Sequence, residues 1–218
     1  MVPMMNPIKL VEQVVESVLA IGGIRVGLEE PKCTRHPLTG TVEIRRYGPR
    51  IAAETTVDAD ENRARDVGFR RLAGYIFGGN RGNQSISMTA PVSQQSGRGG
   101  QQIAMTAPVV QSAGAESGWV IRFFMPEKWT METLPLPKDD QVRLVTVPPV
   151  TIAVLRFSGD RSPKAVTSRT DELLNILRDN SIKTTGEPEA WFYDPPWTLP
   201  MRRRNEIAIP IDPVSAPT

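Results

Sequence analysis

Seven residues recur almost unchanged within a short stretch of this chain. Ile86-Ser87-Met88-Thr89-Ala90-Pro91-Val92 is followed by Ile103-Ala104-Met105-Thr106-Ala107-Pro108-Val109, 17 residues on. Solenoid repeats run to about 20–50 residues, so the spacing instead suits two strands and a loop. Ile, Met, Ala and Val take alternate positions in both copies, which puts them on one strand face. Proline cannot donate to a sheet ladder, so Pro91 and Pro108 predict a bulge or an edge there. The Gly-, Ser- and Gln-rich segment Ser93 to Gln102 reads as a hairpin loop. These residues alone describe a hairpin that builds core.

A second, looser repeat spans the body. Ile51-Ala52-Ala53 returns as Ile152-Ala153-Val154, 101 residues later. A proline kink precedes each copy, Gly48-Pro49 in Thr41 to Val57 and Pro148-Pro149 in Val142 to Phe157. A helix follows each copy. In Asp60 to Phe77, Ala64, Phe69, Leu72, Ala73 and Ile76 recur near one helical face, and Gly78-Gly79-Asn80 is a stop. The second helix opens at Ser162-Pro163, a cap residue followed by proline in the first turn, and ends at Asn180. Trp119 to Met125, Ala190 to Tyr193 and Glu206 to Ile211 read as strands. The pattern predicts an α+β fold: a pseudo-two-fold, distorted antiparallel β-barrel of two β-α-β-β units with two main helices. Neither half should be stable alone.

Composition restricts the partners. The chain has 218 residues, 39% hydrophobic and 23% charged, with net charge +2. These values suit a soluble globular protein and imply no strong field for nucleic acid or membranes. Cys33 is the sole cysteine, which excludes an internal disulfide and fits a reducing, cytoplasmic setting. Leu10, Val11, Val14, Val15, Val18 and Leu19 have helical spacing, with Glu12, Gln13 and Glu16 opposite. Residues 1–40 are therefore expected to hold an N-terminal amphipathic helix and linker. The helix docks on the body or makes weak membrane-surface contact. It is too short and too charged to span a bilayer. The main domain is expected over 41–211, with a tail over 212–218.

Catalytic options are few. His36 is the single histidine, and Cys33 with His36 falls short of the four ligands of a structural zinc site. No phosphate-cradling glycine motif is present. Glu187 and Glu189 are the nearest approach to an acid/base pair. The strongest charge cluster is Arg202-Arg203-Arg204, beside Trp197, Pro200 and Met201. Guanidinium groups bind carboxylates bidentately, so this segment suits a flat apolar ligand with anionic edges.

Several of these segments together resemble the SOUL haem-binding family. They are Val42-Glu43-Ile44-Arg45-Arg46-Tyr47-Gly48-Pro49, Gly68 to Ile76, both Met-Thr-Ala-Pro-Val runs, Phe157-Ser158-Gly159, Tyr193-Asp194-Pro195-Pro196 and Arg203-Arg204-Asn205-Glu206. The plan is also similar to bacterial small-molecule-binding domains of the gyrase-inhibitor type. The resemblance implies binding of haem or a related tetrapyrrole, without catalysis, between the first helix and a late loop. Arg65, Phe69, Leu72, Ala73 and Ile76 on the helix would form the site with Trp197, Met201, Arg202 and Arg203 from the loop. Apolar groups would cover the macrocycle and arginines would pair with its propionates. Some members carry a histidine, proposed as the iron ligand, where this chain has Arg46, which leaves Tyr47 or a methionine as alternatives. A module for another amphipathic small molecule, or a hydrolase-like enzyme using Glu187 or Glu189, remains the alternative reading.

Overall fold

The structure is a computed structural model describing residues 29–96, 118–194 and 198–216. Proline and glycine divide its extended segments. Gly48-Pro49 separates β2 (Val42–Tyr47) from β3 (Arg50–Val57), and Pro148-Pro149 separates β6 (Arg143–Val147) from β7 (Val150–Phe157). Helix α1 (Glu61–Ile76) begins where the Asp60 carboxylate accepts the Arg63 N–H, satisfying an otherwise orphan donor. It ends at Phe77, and Gly78 then adopts φ +108, a conformation that favours glycine. Helix α2 (Pro163–Asp179) is capped by the Ser162 hydroxyl, which accepts from the Ala165 N–H. The remaining strands are β1 (Cys33–Thr39), β4 (Val92–Ser96), β5 (Trp119–Phe124), β8 (Glu189–Phe192) and β9 (Asn205–Pro210).

The nine strands among the described residues join one curled antiparallel sheet in the order β1-β2-β7-β9-β8-β4-β5-β3-β6. Without β1 the order is a palindrome. Exchanging β2 with β6, β3 with β7, β4 with β8 and β5 with β9 reverses it onto itself. The pseudo-two-fold expected from the repeat is thus present, with its axis between β8 and β4. Each half also lends its first strand to the other: β2 pairs with β7, and β6 with β3. Separated halves would expose unpaired strand edges and apolar faces, which explains why the domain is one unit.

The heptapeptide folds differently from its pattern. Ile86 and Ala90 are buried as alternation predicts, but residues 86–91 are irregular. The strand starts only at Val92, after the cis Ala90–Pro91 bond, and takes in residues expected to form the loop. Its neighbours are β5 and β8, so it is an interior strand. The second copy and the expected N-terminal helix lie outside the described residues. The expected linker contains β1, which the pattern missed because Cys33–Thr39 lacks apolar alternation and includes Pro37. In the expected tail, Ala216 is buried against the core under α2.

The helices share one face of the sheet. Under α1 lie Ala53, Ile121, Phe123 and Met125; under α2 lie Ile44, Ala153, Leu155, Ile207 and Ile209. Gly68 sets the approach of α1, since a Cβ there would sit 2.8 Å from the Ile121 side chain. The opposite face carries Tyr47, Val154, Trp191, Tyr193 and Ala208. No helix among the described residues is long and apolar enough to cross a membrane.

Candidate functional site

Helix α1 buries Ala64, Gly68, Leu72, Tyr75 and Ile76. One turn apart on its flank stand Arg65 and Phe69. Arg65 donates from Nε to Gln94 Oε1 at 2.8 Å and from Nη2 to Glu61 Oε1 at 3.3 Å. Its guanidinium lies 4.4 Å from the Phe192 ring centroid. Phe69 packs edge-on to Phe123 at 5.4 Å yet stays 37% exposed. Burial lowers the Arg65 pKa, against the opposing pull of Glu61 and Asp66.

A second arginine reaches the same ring from the other half. Arg161, just before the α2 cap, lies 5.8 Å from the Phe192 centroid and donates to the Asp194 carbonyl at 3.3 Å. Its loop is tied to the late segment by the Gly159 N–H, which donates to the Pro200 carbonyl at 2.9 Å. There Pro200–Arg202 forms a single 3-10 turn, and Arg203 Nε donates to the Thr198 carbonyl at 2.8 Å. Burial lowers the Arg161 pKa, and the charges of Arg65 and Arg203 lower it further. Arg65 and Arg161 therefore both lie against the Phe192 ring, and the charges of Arg65 and Arg203 both act on Arg161. Beside that ring, opposite it in the β8–β9 register, is Asn205, 1% exposed, whose buried Nδ2 has no hydrogen-bond partner among the described residues. Leu199 and Met201 add exposed apolar surface on the turn. Repelling cations, an unused buried donor and exposed apolar side chains together suit an amphipathic anion.

The residues expected in the site divide accordingly. Arg65 and Arg203 each come into electrostatic reach of Arg161. Met201 and Arg202 are exposed on the turn, and Ala73 is half-buried on α1. Leu72 and Ile76, at 0% and 1% exposure, face the core and offer a ligand no surface; the helical spacing that nominated them is core spacing. Trp197 is outside the described residues. Sequence reasoning missed Phe192 and Arg161. The first reads as a core strand residue, and the second is a single cation in the turn before a helix cap.

The opposite face of the sheet holds a separate polar lattice. Glu206, fully buried, receives Arg45 bidentately at 2.7 and 2.8 Å, Arg204 Nε at 2.8 Å and the Tyr193 hydroxyl at 2.6 Å. Burial alone would push the Glu206 carboxyl up, but the Arg45 hydrogen bonds and the charges of Arg45 and Arg204 hold it below its usual range. Glu54 bridges Arg122 at 2.5 Å and Arg143 at 2.9 Å. Glu189 accepts from Ser93 Oγ at 2.6 Å and Trp191 Nε1 at 2.9 Å, with Arg122 at 3.5 Å, whereas Glu187 is exposed outside β8. The two glutamates do not form a facing pair.

The iron ligands considered from the sequence are dispersed. His36 lies on the outermost strand β1, paired to β2. Tyr47 faces away from the helices, and burial pushes its hydroxyl up to about 12. Met88 is a half-buried part of the core under α1. The residues around Phe192 offer the guanidinium and apolar groups that a haem's carboxylate edge and face would need; they include neither His36, Tyr47 nor Met88, and the methionine among them is the exposed Met201. A depression of about 230 Å³ lined by Thr56, Asp140, Gln141 and Arg143 is smaller than usual ligand pockets of about 300–1,000 Å³.

Comparison with known proteins decides the family. The model described as "SOUL heme-binding protein" matches residues 28–99 and 93–210. The chain belongs to the SOUL heme-binding protein family. It is 30% identical over 175 residues to heme-binding protein 2 of Mus musculus, covering 78% of each chain. The human protein of that name is 29% identical over 175 residues, with the same coverage. Among solved structures, the C-terminal domain of EcmrR superposes with a TM-score of 0.52 at 12% identity, covering 78% of this chain and 96% of that one. A hydrolase encoded by lin2189 from Listeria innocua gives 0.53 at 10% identity, covering 79% and 92%. These two share the fold of this SOUL protein.

Proposed function

We propose that this SOUL protein binds haem or a related tetrapyrrole without catalysing a reaction, as a carrier or buffer. The observation that carries the reading is the meeting of Arg65 and Arg161 against the Phe192 ring, with Arg203 acting on Arg161, together with the exposed side chains of Phe69, Leu199 and Met201. Family membership and the names of the relatives support it. The macrocycle would lie along the exposed flank of α1, with Phe69, Ala73 and Met201 against its face. Arg65, Arg161, Arg202 and Arg203 would hold its carboxylates. The bound group supplies the iron and the absorption by which it is detected. The protein's residues orient it and keep its anionic edge paired.

Titrating the purified chain with hemin tests this. A saturable shift of the Soret band at about one equivalent, with micromolar or tighter affinity, is the expected outcome. A shift that grows without saturation would reject specific binding.

A further inference from the structure

On the sheet face turned away from the helices, two nitrogens of one guanidinium find no acceptor among the described residues. Arg50, the first residue of β3, lies between two rings, 4.2 Å from the Tyr47 centroid and 4.5 Å from that of Phe124. Its Nε and Nη1 are buried with no hydrogen-bond partner, while the residue as a whole stays part-exposed. The other arginines of this lattice are paired with carboxylates. Arg45 and Arg204 meet Glu206, and Arg122 and Arg143 meet Glu54. The nearby Glu189 is already taken by Ser93, Trp191 and Arg122. Arg50 feels the charge of Glu189 but has no ion-pair partner among the described residues, and it rests against two rings.

A buried donor left unused costs stability, and a buried unpaired charge costs more. Contact with the two rings recovers part of that cost but leaves the Nε and Nη1 hydrogens unsatisfied among the described residues. Such edges match a carboxylate in geometry and charge. We propose that Arg50 is the anchor of a second ligand site, distinct from the arginine cluster beside α1. It would take a small monocarboxylate through the guanidinium edge, between the Tyr47 and Phe124 rings. One positive charge without an ion-pair partner among the described residues favours a monoanion over inorganic phosphate.

The test follows the Arg50 Nε–H resonance of the full, ligand-free protein during titration with benzoate, acetate and inorganic phosphate. Saturable shifts with both carboxylates, and weaker ones with phosphate, are expected. Arg50→Met should abolish the carboxylate-induced rise in melting temperature. Without ligand, it should melt at or above the parent, because an unpaired charge has been removed. Arg50→Lys, which keeps the charge but not the planar fork, should weaken carboxylate binding about tenfold or more. An unmoved Nε–H resonance, or equal carboxylate stabilisation in Arg50→Met, overturns the site. Tighter binding of phosphate overturns the carboxylate assignment. Collapse of Arg50→Met, together with carboxylate binding unchanged in Arg50→Lys, would show that the cation only glues the rings.

Discussion

Counted from their caps, Asp60 and Ser162, the two helices can be laid position on position. Arg65, Phe69 and Ala73 of α1 then correspond to Thr167, Asp171 and Asn175 of α2. Gly68, the close-approach residue of α1, corresponds to Thr170, whose hydroxyl donates to the Val166 carbonyl in its own helix. The strand frame beneath is palindromic apart from β1, so strand order under the helices does not distinguish the halves. Side chains do. One helix flank carries a cation and an exposed ring, while the other carries short polar groups and a carboxylate. A duplicated scaffold thus presents two equivalent places, and the proposed function assigns an anionic macrocycle to the first of them. The buried carboxylates differ likewise. Glu206 is sealed among Arg45, Arg204 and Tyr193, whereas one partner of Glu54, Arg143, has a side chain 57% exposed.

The largest expected effect separates the two carboxylates. Glu206→Gln, which leaves Arg45 and Arg204 without their counter-charge, should cost about 3–5 kcal/mol in urea unfolding. Glu54→Gln should cost about 1–3 kcal/mol. Equal losses would show that the two lattices are energetically alike. Helix seating comes next. Gly68→Ala presses on Ile121 and should cost about 1–3 kcal/mol, whereas Thr170→Ala on α2 should stay within about 1 kcal/mol. Similar values would mean that α1 does not sit closer to its sheet.

Binding should be asymmetric in the same sense. Phe69→Ala should weaken hemin affinity by about 1–2 kcal/mol, roughly five- to thirtyfold. Asp171→Ala at the matching position should leave the titration unchanged. The smallest effect is on pH dependence. The folded pKa of Glu206 lies below its unfolded value of about 4.3. Its contribution is therefore present above that pH and is lost as pH falls through the folded value. Acid titration of stability should show this limb reduced in Glu206→Gln, and an unchanged limb would assign it to other carboxylates.

Much of the frame was legible in the sequence because its punctuation is local. Asp60, Ser162-Pro163 and Gly78 mark helix ends, and the two proline kinks mark strand breaks, so α1, α2, β3 and β7 fall close to expectation. The exchange of β2 and β6 between halves was not legible, because pairing partners far apart in sequence leave no local trace. Alternation misread residues 86–91 for a related reason: the sites that bury Ile86 and Ala90 do not require strand pairing there. Within the candidate site, Arg65 and Arg203 stood out by type and position. Phe192 and Arg161 acquire their role only when β8, the α2 cap and the late turn converge. Glu206 likewise shows its burial only through Arg45, which is 161 residues away.

The most direct test of the asymmetry is hemin titration of two charge reversals alongside the parent, with melting curves to confirm that each is folded. Arg161→Glu, at the centre of the cluster, should abolish the saturable Soret shift. Asp171→Arg, on the equivalent flank of α2, should leave both its midpoint and its stoichiometry unchanged. Saturation in Arg161→Glu at the parent's midpoint would contradict the placement of the ligand beside α1.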